Sequence, residues 1–187
     1  MSVKAKPGTS RHAAGSKMGE MLTPSLFHVG CPILETMAKW SVFESEAPAL
    51  AAKIRSRFEG HPHHILGTLD STGAPRLGGI NVFFNEGVVW FGSMPSALKS
   101  LDIKRDPRIS LHSATLSEDL DGGDARISGL ARELPAESAR AWRPENPSDG
   151  EFFQIDVQRA HIVEVADEQL VITMWDTENG LRIVQRQ

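Results

Sequence analysis

Hydrophobic and polar positions change their period along this chain. From Ala47 to Phe58 the apolar residues Ala47, Leu50, Ala51, Ile54 and Phe58 recur at helical spacing, with Lys53, Arg55 and Arg57 outside the stripe. Ser45 reads as the N-cap of this helix, Pro48 falls in its first turn, and Gly60 with Pro62 stops it. Beyond Pro62 the runs become short and β-like. His64 to Leu69 reads as a first strand, and Ser71-Thr-Gly73 as a turn. Arg76 to Phe84 reads as a second strand, in which Gly78 and Gly79 mark a bulge or a close backbone approach. Asn85-Glu-Gly87 reads as a three-residue hairpin loop leading into Val88 to Gly92.

The pattern then alternates between short helices and strands. Ser96 to Arg105 reads as an amphipathic helix ended by Asp106-Pro107, and Arg108 to Ser113 as a fourth strand. An acidic loop, Thr115 to Gly123, precedes a strand from Ala125 to Leu134. Pro135 opens a helix from Ala136 to Trp142, and the Pro- and Asn-rich stretch from Arg143 to Gly150 is a loop. Phe152 to Val165 alternates apolar and polar residues, and Leu170 to Trp175 and Leu181 to Val184 flank a hairpin signal at Asn179-Gly180. Connections this short exclude a parallel sheet, which needs a helix of about ten residues between strands, so the expected class is an antiparallel barrel or sandwich.

Composition narrows the function classes. With 187 residues the chain is long enough for one domain with a tail. Residues 1–36 carry four basic and two acidic residues and no periodic apolar face, so they are expected to be a disordered tail, with the folded domain at 37–187. The net charge of −4 is that +2 set against −6 for the remainder, which disfavours generic nucleic-acid binding. No apolar run is long enough for a membrane helix, and the lone Cys31 allows neither an intrachain disulfide nor a thiolate metal cluster. A cytoplasmic protein is expected. With no tyrosine, no phenol can act as acid or base.

The stretches Leu66-Gly-Thr-Leu-Asp-Ser-Thr-Gly-Ala-Pro-Arg76 and Trp90-Phe-Gly-Ser-Met-Pro-Ser-Ala-Leu-Lys-Ser-Leu-Asp-Ile-Lys-Arg-Asp-Pro-Arg-Ile-Ser-Leu111 carry a resemblance. In order and spacing they resemble the pyridoxamine 5′-phosphate oxidase-like superfamily of flavin and deazaflavin oxidoreductases, and Trp175 through Ile183 resembles the C-terminus of an actinobacterial branch. The resemblance spans about residues 37–187. It implies a mainly β fold: a six-to-seven-stranded antiparallel split β-barrel of Greek-key type with a few short flanking α-helices. It also implies a homodimer with the cofactor at the subunit interface, FMN or alternatively coenzyme F-420, and hydride transfer to or from a small-molecule substrate. The other reading is a non-enzymatic protein that binds or stores a flavin, a deazaflavin or haem.

The cofactor-binding residues it implies are Arg76, Gly78, Gly79, Ser93, Ser96, Lys99, His112 and Trp175. Ser93 and Ser96 stand beside a helix N-terminus, where free N–H groups favour a phosphate, and Lys99 adds a charge one turn in. Each has a plainer alternative: Lys99 and Arg76 as solvated residues, Gly78 and Gly79 as a bulge, His112 as a strand histidine, Trp175 as core. Met94, Leu98 and Phe83-Phe84 stand where many relatives carry basic residues, so the phosphate site is expected to be less positive, and pyridoxamine phosphate oxidation is not expected. His61, His63 and His64 suggest a metal, but His63 and His64 would face opposite ways on a strand, and no metal is expected. No residue need act as catalytic acid, since the chemistry would be the cofactor's own.

Overall fold

The computed structural model describes residues 39–115, 120–147 and 149–186. The expected tail at 1–36 and the centre of the acidic loop lie outside the described residues. In chain order the elements are α1 (Trp40–Glu46), α2 (Pro48–Glu59), β1 (His64–Leu69), β2 (Pro75–Ile80), β3 (Val82–Asn85) and β4 (Val88–Ser93). They continue with α3 (Leu98–Arg105), β5 (Arg108–His112), β6 (Asp124–Glu133), α4 (Ala136–Trp142), β7 (Glu151–Ala166), β8 (Gln169–Asp176) and β9 (Gly180–Arg186).

All nine strands join one antiparallel sheet in the order β2-β1-β5-β6-β7-β4-β3, with β8 and then β9 added beside β7. The two ends of that path, β2 and β3, are consecutive in the chain and separated by Asn81 alone. They act as one bent strand that closes the sheet into a barrel. The barrel is split along β7: its start pairs with β4 at residues 151–154, and its later part pairs with β8 from Arg159 to Ala166. This is the split β-barrel that the sequence led us to expect, with nine strands rather than six or seven. The runs read from the sequence include both strands of the β8–β9 ribbon, and the break at Asn81 divides the expected second strand into β2 and β3.

Period-2 alternation decides the two faces. One residue per strand, Leu66, Leu111, Ile127, Ala160 and Trp175, forms a continuous row of register partners, and all five are buried. Trp40, Phe43, Leu50, Ile54 and Phe58 from α1 and α2 join them in the main core. Each large side chain buried in this way contributes about 1.5–3 kcal/mol. A second cluster, Trp90, Leu134, Ala139 and Phe152 with Phe83, Val88 and Trp142 against it, lies under α4. Together the two clusters take up the apolar run at 83–90: Phe83, Val88 and Trp90 in this one, Phe84 and Val89 in the main core.

Several local readings are corrected. Ser45 lies inside α1 and its hydroxyl donates to the Val42 carbonyl; α2 starts after Ala47 with no side-chain cap. Ser96 does not cap α3: Ala97 takes that place, and Ser96 has φ +58°. The β3–β4 loop has two residues, Glu86 and Gly87, both at positive φ, because Asn85 pairs with Val88; this is the primed turn that matches strand twist. The β8–β9 loop holds three residues, with Gly180 after them at φ +66°. Gly78 and Gly79 sit in unbroken register with β1, so no bulge is there; the bulge lies at Ser128/Gly129 on β6.

Candidate functional site

At the bend between β2 and β3 the barrel wall opens into a cleft of about 820 Å³. Its walls are Gly79, Ile80 and Asn81 at the bend, Gly92 and Ser93 at the end of β4 with Met94 and Pro95 after them, Lys99 from α3, Asn146, Pro147 and Asp149 from the loop before β7, and Phe152 on β7. Ile80, Phe83, Met94 and Phe152 make much of it apolar. A Cβ added at Gly79 would meet nothing within 4 Å, so a flat group can lie against the backbone there. At the rim the His63 Nδ1 and Asn81 Oδ1 atoms are 3.0 Å apart, which pins the Asn81 side chain at the strand break.

The charges in the cleft are few. The Lys99 ammonium donates to the Gly79 carbonyl at 2.9 Å, bridging α3 to β2 across the cleft wall. It has three protons, so two remain for another acceptor. Asp149 also lines the cleft. Glu151, at the start of β7, pairs with Lys104. The Lys104 ammonium holds the Glu151 carboxyl below the usual carboxylate range. The cleft presents a single cation, Lys99, and fits a ligand with a flat ring and one anionic group. This agrees with the weaker positive charge read from Met94 and Leu98.

Of the eight residues expected around a cofactor, four are at the cleft and four are elsewhere. Gly79, Ser93 and Lys99 line the cleft, with Ser96 on the adjoining turn. Arg76 points elsewhere: its Nε donates to Asp102 at 2.6 Å, and Thr68 and Arg105 donate to the same buried carboxylate at 3.0 and 3.1 Å. Burial pushes the Asp102 pKa up, but the hydrogen bonds from Arg76, Arg105 and Thr68 outweigh it and hold it below the ordinary value. Trp175 is core, with its ring centroid 4.9 Å from that of Phe43 and its indole N–H donating to Glu46 at 2.9 Å. Gly78 lies opposite buried Leu66, on the inward register. His112 lies on the outer face of the barrel, in a row that runs from Gly79 through Ile65 to His112, Arg126 and His161. Its Nδ1 donates to the Ser113 carbonyl at 2.7 Å, leaving Nε2 outward.

The cleft also uses residues that sequence reasoning missed: His63, Asn81, Asn146, Asp149 and Phe152. Pro and Asn marked 146–149 only as loop, and nothing in the sequence places that loop against β4. The three histidines near the first strand do not converge. His61 Nδ1 accepts the His63 N–H, whereas His64 is buried and accepts the Ala114 N–H on its Nδ1.

No protein-family model and no curated protein matches the chain. Among solved structures it is similar to a candidate pyridoxamine 5′-phosphate oxidase from Listeria innocua, with TM-score 0.51 and 16% identity over 59% of this chain and 95% of that one. It is similar to PhzG from Burkholderia lata 383 in complex with tetrahydrophenazine-1-carboxylic acid, with TM-score 0.52 and 15% identity over 78% and 90% of the two chains. At these identities the likeness is one of fold: the split barrel of pyridoxamine 5′-phosphate oxidase-like proteins. Among the described residues no helix is long and apolar enough to cross a membrane.

Proposed function

We propose that the cleft at the β2–β3 bend holds a flavin-type cofactor, FMN or alternatively coenzyme F-420, and that the chain is an oxidoreductase acting on a small molecule. The observation that carries this reading is the Lys99 ammonium fixed over the Gly79 carbonyl, beside an open backbone stretch and apolar walls. A phosphate would take the two free Lys99 protons, the Ser93 hydroxyl and the first N–H groups of α3. A ring would lie against Gly79, with Ile80, Met94 and Phe152 excluding water. Hydride transfer is the chemistry such a cofactor supplies when bound, and the chain's part is to bind, orient and shield. Exposed Leu77, Met94, Leu98 and Leu101 flank the same region, and a second copy of the chain would bury them in a homodimer.

The single cation, with Asp149 in the same lining, favours a second reading, in which a flavin, deazaflavin or haem is bound without turnover. Purified protein titrated with FMN and with coenzyme F-420, followed by turnover with the reduced form, separates the two. Binding with turnover supports the oxidoreductase, and binding without it supports the carrier. Absence of binding by either cofactor overturns the flavin assignment.

A further inference from the structure

The outer face of the barrel carries a cluster that the cleft does not use. Cross-strand register sets Arg126 on β6 between His112 on β5 and His161 on β7. One register step along, Ser110 and Ser128 face each other with hydroxyl oxygens 3.0 Å apart, and Ser128 lies opposite Arg159. Two guanidinium groups, two imidazoles and two hydroxyls thus share one patch of sheet.

Like charges opposite each other weaken a sheet, and cross-strand positions usually pair a cation with an acid. Here neither register neighbour of Arg126 is a carboxylate. Arg126 and Arg159 are exposed and make no hydrogen bond or ion pair among the described residues. The nearest acids do not reach them. Asp176, opposite Arg159 on β8, is taken by Arg182 and Asn179, and Asp124, two residues before Arg126, makes no hydrogen bond to it. His161 reports the same crowding: burial first, then the charges of Arg126 and Arg159 and the neighbouring His112, push its pKa below the ordinary value. Ser110 and Ser128 place short side chains beside the longer cationic ones. A planar guanidinium offers paired N–H donors that match the oxygens of a phosphate or carboxylate.

We infer that Arg126 and Arg159, with His112, His161, Ser110 and Ser128 around them, form a second binding site that takes the phosphate or carboxylate group of a small ligand on the outer face of the barrel. The site is independent of the cleft reading. The test uses the full chain and follows the His112 and His161 imidazole proton resonances by NMR. Inorganic phosphate and succinate are titrated separately against sodium chloride of equal ionic strength, so that the two anion chemistries are told apart. Saturable shifts of both imidazoles with at least one of the two anions are expected. Arg126→Gln weakens that binding by about tenfold or more, as loss of a charge-assisted hydrogen bond to an oxyanion requires. Arg159→Gln is the second variant, and Lys99→Ala, in the cleft, leaves the shifts unchanged. Shifts no larger than those with chloride, shifts that persist undiminished in both arginine variants, or shifts lost with Lys99→Ala each overturn the assignment.

Discussion

Asp102 shows how a buried charge is held in this fold. It is almost fully buried, yet accepts hydrogen bonds from Arg76, Arg105 and Thr68, so it ties β2, α3 and β1 together. Asp102→Ala strands Arg76 and removes that tie, and a loss of about 3 kcal/mol in a urea melt is expected. Its folded pKa is depressed, so its contribution is present above the usual carboxylate range and is lost as the pH falls through the folded value. His64 acts in the same sense at higher pH. Burial dominates in lowering its pKa from 6.5, so the unfolded chain takes up the proton first and stability falls as the pH drops below about 6.5. His64→Gln is expected to reduce the slope of melting temperature against pH between about pH 5 and 7, leaving the part due to His161, whose pKa is lowered too. Lys99→Ala is the cleft's residue-scale prediction: about tenfold to a hundredfold weaker binding of a phosphate-bearing cofactor, read by titration, with little change in melting temperature. An unchanged affinity would place the phosphate elsewhere.

At the scale of elements, backbone geometry sets the sharpest constraints. A Cβ at Gly129 would lie 2.0 Å from the Asp156 carbonyl oxygen, at the bulge where β6 and β7 slip register. Gly129→Ala must move backbone, so a cost of about 4 kcal/mol or more and a drop of roughly 10 °C or more in a thermal melt are expected. Gly87, at φ +74° in the β3–β4 turn, also accepts the Ser41 N–H, and a Cβ there would sit 2.8 Å from the Ser41 Cβ. Gly87→Ala is expected to cost about 1–3 kcal/mol by the same measurement.

Strands such as His64–Leu69 were legible in the sequence because turn residues bound them. The break at Asn81 was not, because Ile80-Asn81-Val82 continues a strand pattern with neither Gly nor Pro to mark it. Helix α1 was missed because no side chain caps it, although Trp40, Phe43 and Ala47 lie three and four apart and all are buried. Lys99 stood out as a cation behind two serines. Its actual anchor, the Gly79 carbonyl, depends on a strand twenty residues away and leaves no local sign. Arg76 had the right charge and the wrong destination, because its buried partner Asp102 lies 26 residues on, in α3, and nothing local in the sequence joins the two.

For the whole molecule, the outstanding question is what covers the exposed apolar residues near the cleft. Leu77 is 73% exposed and Met94 79% exposed, more than a solvated barrel requires. If they form the surface of a homodimer, sedimentation at micromolar concentration gives a dimer, and Leu77→Lys shifts it toward monomer without altering the far-ultraviolet circular dichroism. A monomeric wild type would remove the dimer from the functional reading.

The single residue Asn81 joins the two ends of the sheet, so the barrel's seam and the cleft's floor are the same piece of chain. Any breathing that parts β2 from β3 also opens the cleft. A guest seated there acts as a clasp on the seam, with Lys99 already bridging to one side of it. Amide hydrogen exchange would report this locally: occupancy should slow exchange in β2 and β3 while leaving the distant β8–β9 ribbon at its unliganded rate.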